Sequence, residues 1–334
     1  MKNLICLALC SLFLFSCQKN DGELIDGTNL QDLFGPFAVL VDIEPSQTTI
    51  NFEAGETMFF SGELSKNTDW RITFVGQESG AIRTISGNSK VLSSQNAEWD
   101  GGANDFPSFN IEDVDVEITF PNESDAVSFE YVLTLNGLRQ DEGDILSGFE
   151  DGAGLNWEFF NQTTVQGTFE CGDGEAAVGD CYYKITGIVG WDWAKGSVMI
   201  KPDDGGTFGL QSNASNLFFN MAFKAVENVG PTNSFILFWF DEDENGDGIF
   251  DPATEDRITY EYWSENDEWD LISLNYADLQ FDSEGNPKET NGNGLMEPSK
   301  LVAINVFYLA NPENGLSTGL IDHLIFTTDE PYLP

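Results

Sequence analysis

"RITYEYWSENDEWDLISL", residues 257–274, alternates in a way that an extended backbone explains and a helix does not. Ile258, Tyr260 and Tyr262 fall on one side of such a chain and Thr259, Glu261 and Trp263 on the other, because successive side chains of a strand point to opposite faces. Ser264 to Glu268 supplies a turn, and Trp269 begins the return strand. The same signature recurs along the chain as short apolar and aromatic runs separated by Gly, Asn, Asp and Ser, and beyond residue 16 no stretch sustains a helical period. The expectation is an all-β protein. Roughly 300 residues are too many for one small sandwich, so two domains are expected.

The first seventeen residues, "MKNLICLALCSLFLFSC", have Lys2 followed by an apolar run, Leu4 to Phe15, too short to span a bilayer. Residues 1–16 read as a signal peptide. Leu14-Phe15-Ser16-Cys17 resembles the lipobox of bacterial lipoproteins, which implies that Cys17 takes the lipid and that the membrane is met through that anchor alone. The following "QKNDGE" resembles the acidic export signal of Bacteroidetes-type surface lipoproteins, which implies an outer-membrane protein facing the cell exterior.

Charge excludes one class of partner. The chain carries a formal net charge of -43, and without the signal 13 basic residues face 57 acidic ones, a net -44. A surface this acidic repels phosphate backbones, so nucleic acid is not expected, and neutral ligands lead over polyanions. Solvation in a saline environment is the plainer reading of the same charge.

Cys6 and Cys10 leave with the signal, so Cys171 and Cys181 remain. They bracket the loop in "ECGDGEAAVGDCYYKI", and an oxidising exterior favours a disulfide between them. A metal site would need further soft ligands, and the sole histidine, His323, lies in the apolar strand "GLIDHLIF", where a structural role is expected.

Residues 17–35 read as the lipidated cysteine and a tether. Residues 36–139 hold "FAVLVDI", "TTINFEA", "ETMFFSG", "WRITFVG", "AIRTISG", "VDVEITF" and "VSFEYVLTLNG", a seven-strand set with the length and spacing of an immunoglobulin-like sandwich. Residues 140–334 open with "ILSGFEDGAGLNWEFF" and close with Gly319-Leu320-Ile321-Asp322-His323-Leu324-Ile325-Phe326, a pairing that resembles the first and last strands of jelly-roll carbohydrate-binding modules. With the lipobox and the export signal, the chain resembles the SusE and SusF surface glycan-binding lipoproteins of Sus-type uptake systems. The resemblance implies non-catalytic capture of a polysaccharide, such as the β-glucan laminarin, beside an outer-membrane glycan transporter.

"VGWDWAKG", residues 189–196, supplies candidate contacts. In extended backbone Trp191 and Trp193 share a side, and an indole covers the C–H face of a sugar while Asp192 and Lys195 pair with its hydroxyls. A core position is the competing reading of both tryptophans. Trp263, on the polar side of its strand beside Glu261, is a further candidate. Trp157 and Trp269 fit either role, and Trp239, in the continuous apolar run "SFILFWF", is expected in the core.

"DEDENGDGIFDPATED" places Asp243, Asn245, Asp247 and Asp251 at the spacing of an EF-hand-like calcium loop, with Gly248 at the turn. Its twelfth position is Thr254, so Glu255 or Asp256 has to close the shell around a structural calcium ion. The alternative is an acidic, solvated hairpin. "DVDVE", Asp113 to Glu117, resembles the Glu-x-Asp-x-Glu strand of laminarinase-like glycoside hydrolases, with Asp113 where a nucleophilic Glu belongs, and keeps hydrolysis as an alternative. A third class is an adhesive surface lipoprotein that binds a protein partner.

Overall fold

The computed structural model describes residues 35–123, 126, 128–190, 193–226, 234–264, 267–283, 285–311 and 315–334. Cys17, the signal peptide, Trp191 and Asp192 lie outside the described residues. Within them the chain is strands joined by turns, and the helical segments are four three-residue 3-10 turns. The expected all-β class holds.

The N-terminal strands are β1 (Val39–Pro45), β2 (Thr49–Asn51), β3 (Met58–Gly76), β4 (Ile82–Leu92), β5 (Glu98–Trp99), β6 (Asp113–Thr119) and β7 (Phe129–Gly137). They run in the order β1-β3-β6-β7-β2, with β4 and β5 also on β3. Two segments expected as separate strands, "ETMFFSG" and "WRITFVG", are the two halves of β3, because no Gly or Pro interrupts the chain between them. Phe60 and Phe74 sit fourteen residues apart on that strand, which would span roughly 46 Å if straight. Their rings are 6.1 Å apart. The strand therefore folds over, and its pairing with β4 slips in register between Glu63 and Thr68, as a bend requires. Trp70, Phe74, Trp99, Val116 and Leu133 fill the space enclosed.

The C-terminal strands are β8 (Asp144–Ser147), β9 (Glu158–Asn161), β10 (Val165–Cys171), β11 (Cys181–Ile188), β12 (Ala194–Ile200), β13 (Leu217–Val226), β14 (Phe235–Glu242), β15 (Arg257–Trp263), β16 (Asp270–Asn275), β17 (Gln280–Ser283), β18 (Asn286–Pro287), β19 (Leu301–Leu309) and β20 (Leu316–Thr328). One sheet runs β10-β11-β20-β13-β16 with β8 on β20, and the other β18-β17-β15-β14-β19-β12-β9. We call these the back and front sheets. Alternate residues of each meet in one core: Phe219, Met221 and Phe223 from β13 face Ile236, Phe238 and Phe240 from β14. The Phe219 ring lies 5.3 Å from Phe238 and 5.2 Å from Phe240, close enough for edge-to-face packing. Gly319 of β20 lies under Tyr308, where an added Cβ would come within 2.9 Å of the ring, so no larger residue fits unless the tyrosine moves.

Cys171 and Cys181 form the expected disulfide, as a directly opposed pair on β10 and β11. His323 has the structural setting expected of it. Between Asn220 and Ala222 β13 advances two residues while β20 advances three, from Ile325 to Asp322, so β20 carries a bulge there. His323 occupies it at φ 45°, buried, its ring 4.9 Å from that of Tyr332. Burial depresses the imidazole pKa, and the nearby Asp141 carboxylate only partly opposes this. The folded state then binds the proton less readily than the unfolded chain, so stability is lost as pH falls through about 6.5. Denaturant unfolding at pH 7.5 and 5.5 should show this acid loss in the parent and a smaller one in His323→Gln; an equal loss in both would assign it elsewhere.

Candidate functional site

An antiparallel sheet usually keeps its outer face polar. The front sheet does not. Because Ile236, Phe238 and Phe240 enter the core, Phe235, Leu237 and Trp239 lie on the opposite side of β14. The registers lay them out in rows across the sheet. One row is Leu309, Phe235 and Trp263, the next Phe160, Ser197, Phe307, Leu237 and Glu261, and the third Glu158, Met199, Asn305, Trp239 and Thr259. Lys201, Ala303, Asp241 and Arg257 border them.

Aromatic contacts tie these rows together. The Trp263 ring stacks on Phe235 at 4.2 Å with planes 20° apart, and Trp193 approaches the same phenyl at 6.0 Å. Trp263 keeps 48% of its surface open to solvent. Trp239 meets Phe307 edge to face at 4.5 Å. The Arg257 guanidinium lies 4.1 Å over Trp239 and 4.8 Å over Phe250, a cation held between two rings.

The border row forms the floor of a cleft of about 620 Å³ walled by Trp157, Ile249 and Phe250. Its charges are paired off. Arg257 donates from Nε and Nη2 to Asp241 at 2.6 and 3.0 Å, and Lys201 meets Glu158 at 2.5 Å. Burial raises the Asp241 carboxyl pKa, and Arg257 pulls it back. Trp239 Nε1 and Asn305 Oδ1, a donor and an acceptor on paired positions of β14 and β19, have no protein partner. A flat apolar surface edged by neutral and self-neutralised hydrogen-bonding groups can stack a polyol ring and bond its rim.

A larger cleft, about 970 Å³, lies beside β8 and the loop that follows. Asp144, Glu150, Asp151, Asp203 and Asp204 line it among glycines and apolar residues, and two of them already serve loop amides: Asp203 accepts from Leu155 N, and Glu150 from Asp180 N and Cys181 N. The aromatic rows lie on the front sheet instead.

Of the residues singled out in the sequence, the structure brings Trp263 and Trp193 to this face. Lys195 is not a surface contact. It is fully buried, donating from Nζ to Gly187 O, Ser317 O and Ser317 Oγ beneath the Tyr308 ring, and burial pushes its pKa down to about 7. The irregular pairing of β12 between Ala194 and Gly196 turns it inward. Trp239 was expected in the core and instead faces outward, half-buried, with Phe307 and Arg257 against its ring. Trp157 walls the cleft, while Trp269 is buried on the back sheet.

The structure gathers Asp243, Asn245, Asp247, Asp251 and Glu255 in one turn without converging them on one point. Asp243 accepts from the amides of Gly246, Asp247 and Gly248. Asn245 and Asp247 each accept the amide two residues on, Asp251 accepts from Ala253, and Glu255 accepts from Asn245 and Asp251. Among the described residues no three His, Cys, Asp or Glu side chains form a group that could hold a metal ion. Asp113, Asp115 and Glu117 are exposed along β6 of the N-terminal sheet, where Asp113 accepts from the Thr134 hydroxyl and Asp115 from Gln77.

No protein-family description and no curated protein matches the chain. Solved structures give weak likenesses. A family 11 carbohydrate-binding module from Clostridium thermocellum, in complex with a β-1,3-1,4-mixed-linked tetrasaccharide, is 14% identical, covering 57% of this chain and 98% of its own, at a TM-score of 0.37. SGBP-B from a complex xyloglucan utilization locus in Bacteroides uniformis is 12% identical, covering 88% and 73%, at 0.36. Values of this size leave the reading of the site to its own geometry.

Lys195→Ala should cost about 3 kcal/mol of stability in denaturant unfolding, since it strands buried acceptors, and should leave the front face unaltered. The carboxylates of the acidic turn keep lone pairs beyond those given to its amides, so chelation tests the expected calcium directly: a fall in melting temperature reversed by added calcium would show that the turn carries an ion, and an unchanged melt would refute it.

Proposed function

We propose that the chain is a non-catalytic glycan-binding protein that holds a polysaccharide on the outer face of its front sheet. One observation carries the reading: the face that should be polar is a field of aromatic rings whose bordering cations, Arg257 and Lys201, are each paired with a carboxylate. Stacking on Trp263 and Phe160, which are exposed, and on the half-buried Trp239 and Phe307 suits the C–H faces of sugar rings, and Glu261 with the N–H donors that Arg257 keeps free of Asp241 can meet their hydroxyls.

Self-neutralised pairs favour a neutral polymer such as a β-glucan. A uronate would have to draw Arg257 away from a bidentate partner inside a protein of strongly negative charge. The lipobox-like Leu14–Cys17 and the acidic residues after it support lipidation at Cys17 and an outer-membrane position facing outward, beside a glycan transporter. Hydrolysis is the weaker reading, because the acids of β6 lie open to solvent on the other unit. An adhesive role would use the same exposed rings, and glycan binding decides between the two.

Calorimetry against a panel of neutral and acidic polysaccharides tests the reading. Trp263→Ala should weaken binding by roughly 1–3 kcal/mol, the scale of base stacking on exposed aromatics in single-strand nucleic-acid binders, with little change in melting temperature. Affinity should be nearly independent of salt. Absence of binding to every polymer in the panel would refute it, and a steep salt dependence would point to a polyanion.

A further inference from the structure

The outer face of the back sheet is apolar as well, and there the structure shows what covers it. Tyr182, Ala222 and Leu320 of that face form a buried cluster with Trp269, Ile325, Tyr332 and Ala177, and Phe106 from the N-terminal unit completes it. Phe106 packs 6.0 Å from the Tyr332 ring and 6.2 Å from His323. The N-terminal unit is thus seated on the side of the sandwich opposite the aromatic face.

The loop between Cys171 and Cys181 is bonded in both directions across this seat. Ala177 O accepts from Ser108 N of the N-terminal unit at 2.9 Å. The amides of Ala177 and Val178 donate to Asp322 of β20 at 2.9 and 3.1 Å, and Glu175 O accepts from Trp269 Nε1 at 2.9 Å. Tyr182 OH, just past the second cysteine, returns to Asp173 at 2.8 Å. No strand pairing joins the two units among the described residues. Other polar ties between the units include Arg139 to Leu333 O, Ala103 N to Pro334 O, and the Asp105 carboxylate to the Leu271 backbone.

We infer that the disulfide-closed loop is a clasp that fixes the N-terminal unit against the back sheet, so that the two sandwiches move as one body with the aromatic face turned away from the junction. The disulfide pins both ends of the loop at one register pair of β10 and β11. Without it the loop gains conformational freedom, and the set of bonds that Asp322, Trp269 and Ser108 make to it is no longer presented together. The sandwich cores do not use these bonds, so the junction opens before either unit unfolds.

The test uses the full chain with spin labels on exposed β4 and β17 positions, one in each unit, together with cleavage by a glutamyl-specific protease at Glu142. The parent should show one narrow inter-unit distance distribution and slow cleavage. Cys171→Ser/Cys181→Ser should broaden the distribution and speed cleavage roughly tenfold, tracking the open population, while unfolding of the C-terminal core stays cooperative. Phe106→Ala, which removes the plug and leaves the disulfide, should open the junction too. A parent-like distribution and cleavage rate in the cysteine variant overturn the inference, even where Phe106→Ala opens the junction, because the plug alone would then be the clasp. Loss of the C-terminal fold in the cysteine variant overturns it equally, since the disulfide would then serve the core.

Discussion

The C-terminal sandwich is built from strands that are apolar on both sides, and every apolar face has to be covered. One face of each sheet is covered by the other sheet, where Phe219, Phe223, Phe238 and Phe240 interlock. That leaves two outer faces. Phe106, Tyr332 and the disulfide loop cover the back one, and the front one stays open with Trp263 half exposed. An uncovered aromatic face on an otherwise well-packed domain marks a place where something binds. The fold, the docking of the two units and the candidate site are three answers to the same excess of apolar surface.

How much of this the sequence discloses depends on whether local pattern or distant partner decides a residue's position. The alternation in "RITYEYW" placed Ile258, Tyr260 and Tyr262 on one side of β15 and Trp263 on the other, and β15 pairs with β14 in that sense. The cysteine pair was likewise legible, since Cys171 and Cys181, once the cysteines of residues 1–17 are set aside, have one arrangement to make. The run "SFILFWF" was not. A continuous apolar strand is ordinarily buried on both sides, so Trp239 read as core, yet in an antiparallel sheet at the outside of a sandwich one of those sides faces solvent. An apolar run next to a strand with clean alternation is the signal that would have found it.

Lys195 shows the opposite failure. A lysine between glycine and alanine in a tryptophan-rich turn reads as surface, and only the irregular start of β12 sends its side chain under Tyr308. Its three protein acceptors, Gly187 O, Ser317 O and Ser317 Oγ, match the three donors of an ammonium. β3 was misjudged for a related reason: the bend that separates its halves is made by a register slip against β4, a feature of pairing that composition does not carry.

Few cations serve a chain with this much acid, and their placement bears on what the open face can hold. Arg257 is fixed by Asp241 on one edge and by Trp239 and Phe250 on its faces, so its charge is spent within the protein while its remaining N–H donors stay oriented. Lys201 is spent on Glu158 in the same cleft. An anion arriving there would meet cations already neutralised and, beyond them, the long-range repulsion of the whole molecule. A hydroxyl meets neither obstacle, because it can accept from a guanidinium already paired and donate to a carboxylate already engaged, each of which retains free capacity. On the proposed glycan-binding reading, the pairing of charges therefore does more to define the ligand than their number does: it leaves the aromatic rows to provide affinity and the polar groups beside them to read the rim of an uncharged ring.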